Sequence, residues 1–195
     1  MGQEVAIIKY NAGNIGSVAN ALQRIGIEAN ITDSPEEIKR ADKVIFPGVG
    51  EASTTMKYLR ETGLDKVITN LKQPTLGICL GMQLMCAHSE EGDTPGLGIF
   101  KEKVKLFKIG EKVPHMGWNS IQVGEDKLLE GLIDPAYFYF VHSFYCEVGP
   151  DTQSVCEYEI PFSAYLRKDN FYAVQFHPEK SGPLGSLLLQ NFIKL

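Results

Sequence analysis

The chain is short of several things, and each shortage excludes a class of protein. It has no excess of basic residues: 19 Lys and Arg stand against 24 Asp and Glu, a net charge of -5. A general nucleic-acid binder would show a basic stripe instead. It has no apolar run of about 18 residues or more, so no transmembrane helix is expected. Its N-terminus, MGQEVAIIKYNAG, carries an acid and only a short apolar run, which reads as a buried first strand rather than a signal peptide. A cytoplasmic location is therefore expected. Only four cysteines occur, Cys79, Cys86, Cys146 and Cys156, with no C-x-x-C pair and no H-E-x-x-H. Free thiols and no metal or cofactor are expected. There is no P-loop and no G-x-G-x-x-G; Gly48-Val-Gly50-Glu-Ala-Ser falls short of the latter. Repeats, low-complexity segments and linkers are also missing.

What is present is an ordinary globular composition, 44% hydrophobic and 22% charged over 195 residues, enough for one sizeable core. We expect a single domain over residues 1–195. The first half alternates strand and helix patterns. Residues 5–8, 27–31, 43–46 and 75–78 read as strands. Ile15, Val18, Leu22 and Ile25 fall at helical spacing with Gly26 as the stop. Ser34, Pro35, Glu36 and Glu37 form a helix start, and 51–59 reads as a further helix. This order implies an α/β fold with a mostly parallel central sheet flanked by helices. After about Gly96 short β-like runs take over at 101–107, 137–141, 154–158, 164–167 and 171–176. They suggest antiparallel strands, some in a small additional sheet, before a closing helix from about Pro183. The charge run KEKVK at 101–105 reads as a solvated strand face.

One stretch invites chemistry. In GICLGMQ, residues 77–83, Cys79 sits between Gly77 and Gly81 at the junction of a predicted strand and a predicted helix. That is the arrangement of a nucleophile elbow with Cys in place of Ser. A helix N-terminus there would favour the thiolate, and the Leu80 N–H would point at an oxyanion. A small core residue at a crowded turn fits the same spacing. A thiol nucleophile needs a base, and the histidines are His88, His115, His142 and His177. His177, in QFHPE at 175–179, ends an apolar run and lies on the expected rim of the sheet. Glu179, two residues on across Pro178, can fix its tautomer. His88, on the helix expected after the elbow, reads as a surface residue.

GICLGMQ together with QFHPEKS resembles the class I, or triad, glutamine amidotransferases. Further stretches sharpen this: PGVG at 47–50, SEE at 89–91, PHMGWN at 114–119, YFVHS at 139–143 and YNAGN at 10–14. Over nearly the whole chain the pattern is similar to the glutaminase subunits of imidazole glycerol phosphate synthase. Lys9 departs from it, where an acidic residue is expected. The resemblance implies a flavodoxin-like fold and hydrolysis of L-glutamine through a Cys79 thioester, with His177 and Glu179 completing the triad. It implies an oxyanion hole from Leu80 and Val49, and substrate contacts from Gly50, Gln83, Glu91, Ser143 and Phe144. Plainer readings stay open for these: Gln83 facing solvent, Glu91 as an acid of a polar turn, the glycines serving turns only. It also implies a partner, a (β/α)8-barrel cyclase subunit forming a heterodimer. That partner joins the ammonia to an amino-sugar ribonucleotide, giving imidazole glycerol phosphate and an aminoimidazole carboxamide ribotide in histidine biosynthesis. Asn14, Trp118, Tyr139 and Lys180 are the implied contacts, although a core position suits a lone tryptophan nearly as well. Three rival readings are a glutaminase serving anthranilate or pyridoxal phosphate synthesis, a thiol hydrolase on a similar fold, and a binding module with an inert Cys79.

Overall fold

In the computed structural model, which describes residues 3–10, 14–108 and 113–195, strands and helices alternate through the first half. The order is β1 (Val5–Ile8), α1 (Ile15–Arg24), β2 (Ala29–Thr32), α2 (Pro35–Arg40), β3 (Lys43–Phe46), α3 (Ala52–Thr62), α4 (Leu64–Thr69), β4 (Thr75–Ile78) and α5 (Leu80–Met85). Most of the rest is strand: β5 (His88–Ser89), β6 (Thr94–Pro95), β7 (Lys103–Leu106), β8 (His115–Ile121), β9 (Ala136–His142), β10 (Phe144–Cys146), β11 (Thr152–Tyr158), β12 (Ile160–Lys168) and β13 (Phe171–Val174). Helix α6 (Gly182–Lys194) closes the chain. The YNAGN stretch at 10–14 falls partly on 11–13, outside the described residues.

Local chemistry explains the helix ends. The Ser34 hydroxyl accepts from the Glu37 N–H at 3.4 Å, with Pro35 in the first turn of α2, a cap of about 1 kcal/mol. Gly26 takes φ 81 just beyond α1, where a side chain would be strained. Helix α5 stops at Met85 because the following loop uses up its carbonyls: Leu97 N–H donates to Leu84 O, and Ile99 and Phe100 N–H donate to Met85 O. His88 consequently lies in strand β5, not on a helix, and its half-buried ring pairs with Asp93 at 2.9 Å.

The large sheet runs β2-β1-β3-β4-β13-β12-β11-β8-β9. Its first five strands are parallel and follow the flavodoxin-like order. The last four are antiparallel. The sheet is therefore mixed, and its parallel half carries the site. The small second sheet, β10-β7-β5-β6, has two antiparallel ladders and one parallel ladder, β5 with β7. Both faces of β1 are covered. Val5 and Ile7 pack with Val18 and Leu22 of α1 and Phe192 of α6. Ala6 and Ile8 pack with Ile38, Met56 and Leu59 of α2 and α3. Two-sided burial is why the parallel strands read as unbroken apolar runs.

Candidate active site

The site grows from the carboxyl ends of three neighbouring parallel strands, β3, β4 and β13. Register brings Ile78 beside Val174 and Phe46 beside Gly77. Residues 79, 175–177 and 47–50 therefore leave the sheet at one level, although up to 130 positions separate them in sequence. Cys79 caps α5 with φ 53 and ψ -109, a positive φ rare outside glycine. Such backbone costs of order 1–3 kcal/mol and persists only where its surroundings fix it. Here they do. The Cys79 N–H donates to Val174 O at 2.8 Å. A Cβ on Gly81 would stand 2.0 Å from Phe46 O, and one on Gly77 would stand 2.8 Å from Met85 Sδ. Gly81 is thus required by the close seat of α5 on β3, and a Cβ on Gly77 would also stand tight against Gly81 C and Met82 N, at 3.1 Å.

His177 is fully buried, and its Nδ1 pairs with Glu179 Oε1 at 2.7 Å. Since a carboxylate accepts, Nδ1 carries the proton and Nε2 is left for chemistry. Among the described residues Nε2 makes no hydrogen bond of standard geometry; the neighbour that acts on the ring most strongly is the Cys79 sulfur. Burial works against a charged ring. The charge and hydrogen bonding of Cys79, then of Glu179, outweigh it and lift His177 to about 10. The site thus favours an imidazolium at His177, beside the Cys79 sulfur. Asn14 Nδ2 donates to Glu179 Oε1, and Arg24 reaches the Glu179 carbonyl at 3.3 Å.

A cavity of about 340 Å³ opens beside Cys79. All five sequence-predicted substrate residues line it: Gly50, Gln83, Glu91, Ser143 and Phe144. Gln83 does not face solvent; it is buried, and its Nε2 donates to Phe144 O at 2.9 Å and to Gln175 Oε1 at 3.0 Å. Glu91 accepts from the Ala52 N–H at 2.8 Å, at the start of α3. Burial raises its pKa, so the carboxylate is under-compensated until a cation stands beside it.

The oxyanion donors are arranged differently. Leu80 N–H is engaged by Gly48 O at 3.4 Å. The Gly48–Val49 peptide is trans, so its N–H points opposite to that carbonyl. Val49 N–H is therefore turned away from Leu80, though Val49 and Leu80 both line the cavity. Gly48 has no room for a side chain, since a Cβ would meet Gly81 N at 2.7 Å and Leu80 Cβ at 2.8 Å.

Three of the implied partner contacts, Trp118, Tyr139 and Lys180, share one surface. Trp118 is 58% exposed, hence not a core residue. Its ring meets Tyr139 edge-on at 6.3 Å, and Lys180 Nζ lies 5.9 Å over the same Tyr139 ring. Asn14 instead donates to Glu179, the residue before Lys180. Met116 and Tyr137, also exposed, extend the patch.

Sequence reasoning passed over two residues. His142 lines the cavity. Its Nδ1 donates to Phe144 O at 2.7 Å, so its Nε2 accepts from His115 Nδ1 at 3.0 Å, and His115 Nε2 in turn accepts from Asn119 at 3.3 Å. Gln175, fully buried, donates to Cys79 Sγ at 3.7 Å. Each lay inside a quoted motif, YFVHS or QFHPE, but nothing in the spacing separated it from core. Among the described residues no cluster of three His, Cys, Asp or Glu side chains is placed to hold a metal ion, and no helix is long and apolar enough to cross a membrane.

Comparison with known proteins agrees with this geometry. The family model for class I glutamine amidotransferases matches residues 6–195. The HisH subunit of imidazole glycerol phosphate synthase from Bacteroides thetaiotaomicron is 58% identical, covering 98% of this chain and all of its own. The HisH subunit of Escherichia coli K12 is 46% identical, covering 98% of this chain and 99% of its own. Among solved structures, a glutamine amidotransferase superposes with TM-score 0.74 at 22% identity, covering 97% of each chain. PurLQS from Thermotoga maritima does so with TM-score 0.75 at 14% identity, covering 100% of this chain and 99% of its own; these two speak for the fold alone. The elbow, the His-Pro-Glu turn, the cavity beside Cys79 and the relatives at about half identity converge: the chain belongs to the class I glutamine amidotransferases, in the family of the HisH subunit of imidazole glycerol phosphate synthase.

Proposed function

We propose that Cys79, His177 and Glu179 hydrolyse the side-chain amide of L-glutamine, and that the ammonia passes to a separate (β/α)8-barrel cyclase subunit in a heterodimer. The observation that carries this is the Cys79 elbow, at the wall of a cavity that also holds Glu91, acting on a buried His177 ring held by Glu179. The chain acts as one amidotransferase domain over 1–195, in the cytoplasm, where its four free cysteines stay reduced.

The thiolate of Cys79 attacks the amide carbon of glutamine, and the carbonyl oxygen becomes an oxyanion. The imidazolium of His177 gives its Nε2 proton to the departing nitrogen, and the C–N bond breaks to leave ammonia and a glutamyl thioester. Neutral His177 then takes a proton from water, whose oxygen attacks the thioester. The C–S bond breaks, the electron pair returns to sulfur, and glutamate leaves. Glu179 holds the ring and supports its charge without accepting the proton. Glu91 receives the substrate ammonium, and Gln83, Gly50, Ser143 and Phe144 hold the rest.

The oxyanion needs two donors. With Gly48 O on Leu80 N–H, one donor is occupied and the other is turned away. We read this as a resting state. Rotation of the Gly48–Val49 peptide would remove the carbonyl and bring in Val49 N–H, and Gly48, lacking a side chain, allows it. The cyclase would drive the rotation through the surface of Trp118, Tyr139 and Lys180, and through Asn14. The test is glutaminase rate for the chain alone, with cyclase, and with cyclase plus its nucleotide ligand. A missing oxyanion donor costs about 10²–10³ in rate, so the last should exceed the first by that factor. Equal rates in all three would sink the switch and leave the triad standing.

A further inference from the structure

The Cys79 sulfur has a buried neighbour besides His177. Because β4 and β13 pair Ile78 with Val174, Gln175 follows at the level of Cys79. Gln175 is fully buried, with Nε2 3.7 Å from Cys79 Sγ and Oε1 3.0 Å from Gln83 Nε2.

The chain of hydrogen bonds fixes which way each amide points. The Phe144 carbonyl can only accept, so the Gln83 atom 2.9 Å from it is the nitrogen. The second hydrogen of that nitrogen faces Gln175, whose facing atom must be the oxygen. The Gln175 nitrogen is left, and it faces sulfur. Reversing Gln83 would set oxygen against oxygen at Phe144. Reversing Gln175 alone would set nitrogen against nitrogen in a buried site, which costs the full desolvation of an unmet donor. The contacts of the sulfur also differ between its two protonation states. A neutral thiol has the Val141 carbonyl as acceptor at 4.0 Å. A thiolate has nothing to give there, but it accepts from Gln175 more strongly, as ionised acceptors do.

We infer that Gln175 is a catalytic residue: its amide N–H donates to the Cys79 thiolate and stabilises that charge in the nucleophile and again in the thiolate that leaves the thioester. This rests on the reading of Cys79 as nucleophile. Gln175 is not among the residues lining the cavity, so its action on the sulfur shows in kcat. A residue that merely anchored Gln83, itself a substrate contact, would show in KM and leave the protonation of the thiol alone.

The test is the pH profile of Cys79 alkylation by iodoacetamide in the full chain. In Gln175→Met the low-pH limb should move up by about one unit, the scale of one lost stabilising partner. In the cyclase complex kcat should fall about tenfold at neutral pH, with KM for glutamine nearly unchanged. Thermal melting and cyclase binding report whether the variant is folded. If it is not, Gln83→Met/Gln175→Met is compared with Gln83→Met, since removing both amides leaves no buried donor unmet; the double variant should show the higher limb by the same amount. A limb unmoved in the folded variant overturns the inference, whatever happens to kcat. Failure of the nucleophile reading would look different: Cys79→Ala would keep its glutaminase activity.

Discussion

His177 and His142 are both buried in the same site, yet they are driven in opposite directions. Burial alone pushes an imidazole toward the neutral form. In His142 it prevails: burial takes the ring down to about 3, against the Phe144 carbonyl and with the positive charges of His115 and His177 adding to the effect. In His177 burial is the largest single influence too, but Cys79 and Glu179 together overturn it and lift the ring to about 10. The lesson is that partners, not depth, assign roles here. One ring has an acid on one side and a thiol on the other, and it becomes the proton carrier. The other has a carbonyl and a second imidazole, and it becomes a fixed strut behind Phe144.

The comparison can be broken most severely at Cys79. Cys79→Ala should abolish glutamine hydrolysis while leaving folding and cyclase affinity nearly intact. It should also lower the His177 pKa read by NMR, since it removes the charge that raises it most. Cys86→Ala, Cys146→Ala and Cys156→Ala should keep activity; a folded but dead variant among them would move the nucleophile elsewhere. Next in size, His177→Asn should remove most of the activity, with a loss that does not add to that of Cys79→Ala because the pair works as a unit. Glu179→Gln should cost less, as it orients without transferring, and a larger loss than His177→Asn would contradict that division.

Titration sharpens the contrast without mutation. His115 is also lowered by burial, to about 4. The stability that His115 and His142 contribute is complete above their ordinary pKa of 6.5 and is lost as pH falls through about 4 and then about 3. His177 has the opposite sign: its contribution is complete below 6.5 and is lost as pH rises through about 10. Urea midpoints measured across pH should therefore fall on both sides. A flat profile between pH 6.5 and 4 would contradict the neutral pair. The smallest effect on the chain itself belongs to Trp118→Ala, which should leave melting and the resting rate unchanged. Cyclase binding should weaken by about 2 kcal/mol, roughly thirtyfold, if the exposed ring is an anchor; unaltered affinity would place the partner elsewhere.

Much of this architecture was readable in the sequence, and what was not has physical causes. Strands β1, β3 and β4 are found at their expected bounds because two-sided burial leaves mostly apolar residues there, after a buried Lys43 or Thr75 at the start of β3 and β4. The grouping proposed as a triad stood out in the sequence because turns constrain residue type: Gly81 has no space for a side chain and Pro178 sets the path from His177 to Glu179. Strand β8 was missed because His115, Met116, Gly117, Trp118 and Asn119 alternate in no simple way between apolar and polar: an inward histidine is held by hydrogen bonds, and an outward tryptophan lies exposed. The same mechanism turned Glu102 inward from an apparently solvated charge run, where it accepts from the Asp151 N–H at 2.9 Å. Gln175 was hidden for the reason that it matters, since its partner is 96 positions away and only the register of two strands unites them.

That the His177 turn lies against β9 bears on how the molecule behaves in a crowded solution. β9 is the last strand of the large sheet, and an open edge invites a strand from another molecule. At Tyr139 both backbone groups on that edge are already taken: the carbonyl accepts from the His177 N–H at 2.9 Å, and the N–H donates to the Ser181 hydroxyl at 3.0 Å. The segment that carries the base and its orienter is thus also a stopper on the sheet, and variants that loosen residues 177–181 should be judged for self-association as well as for turnover.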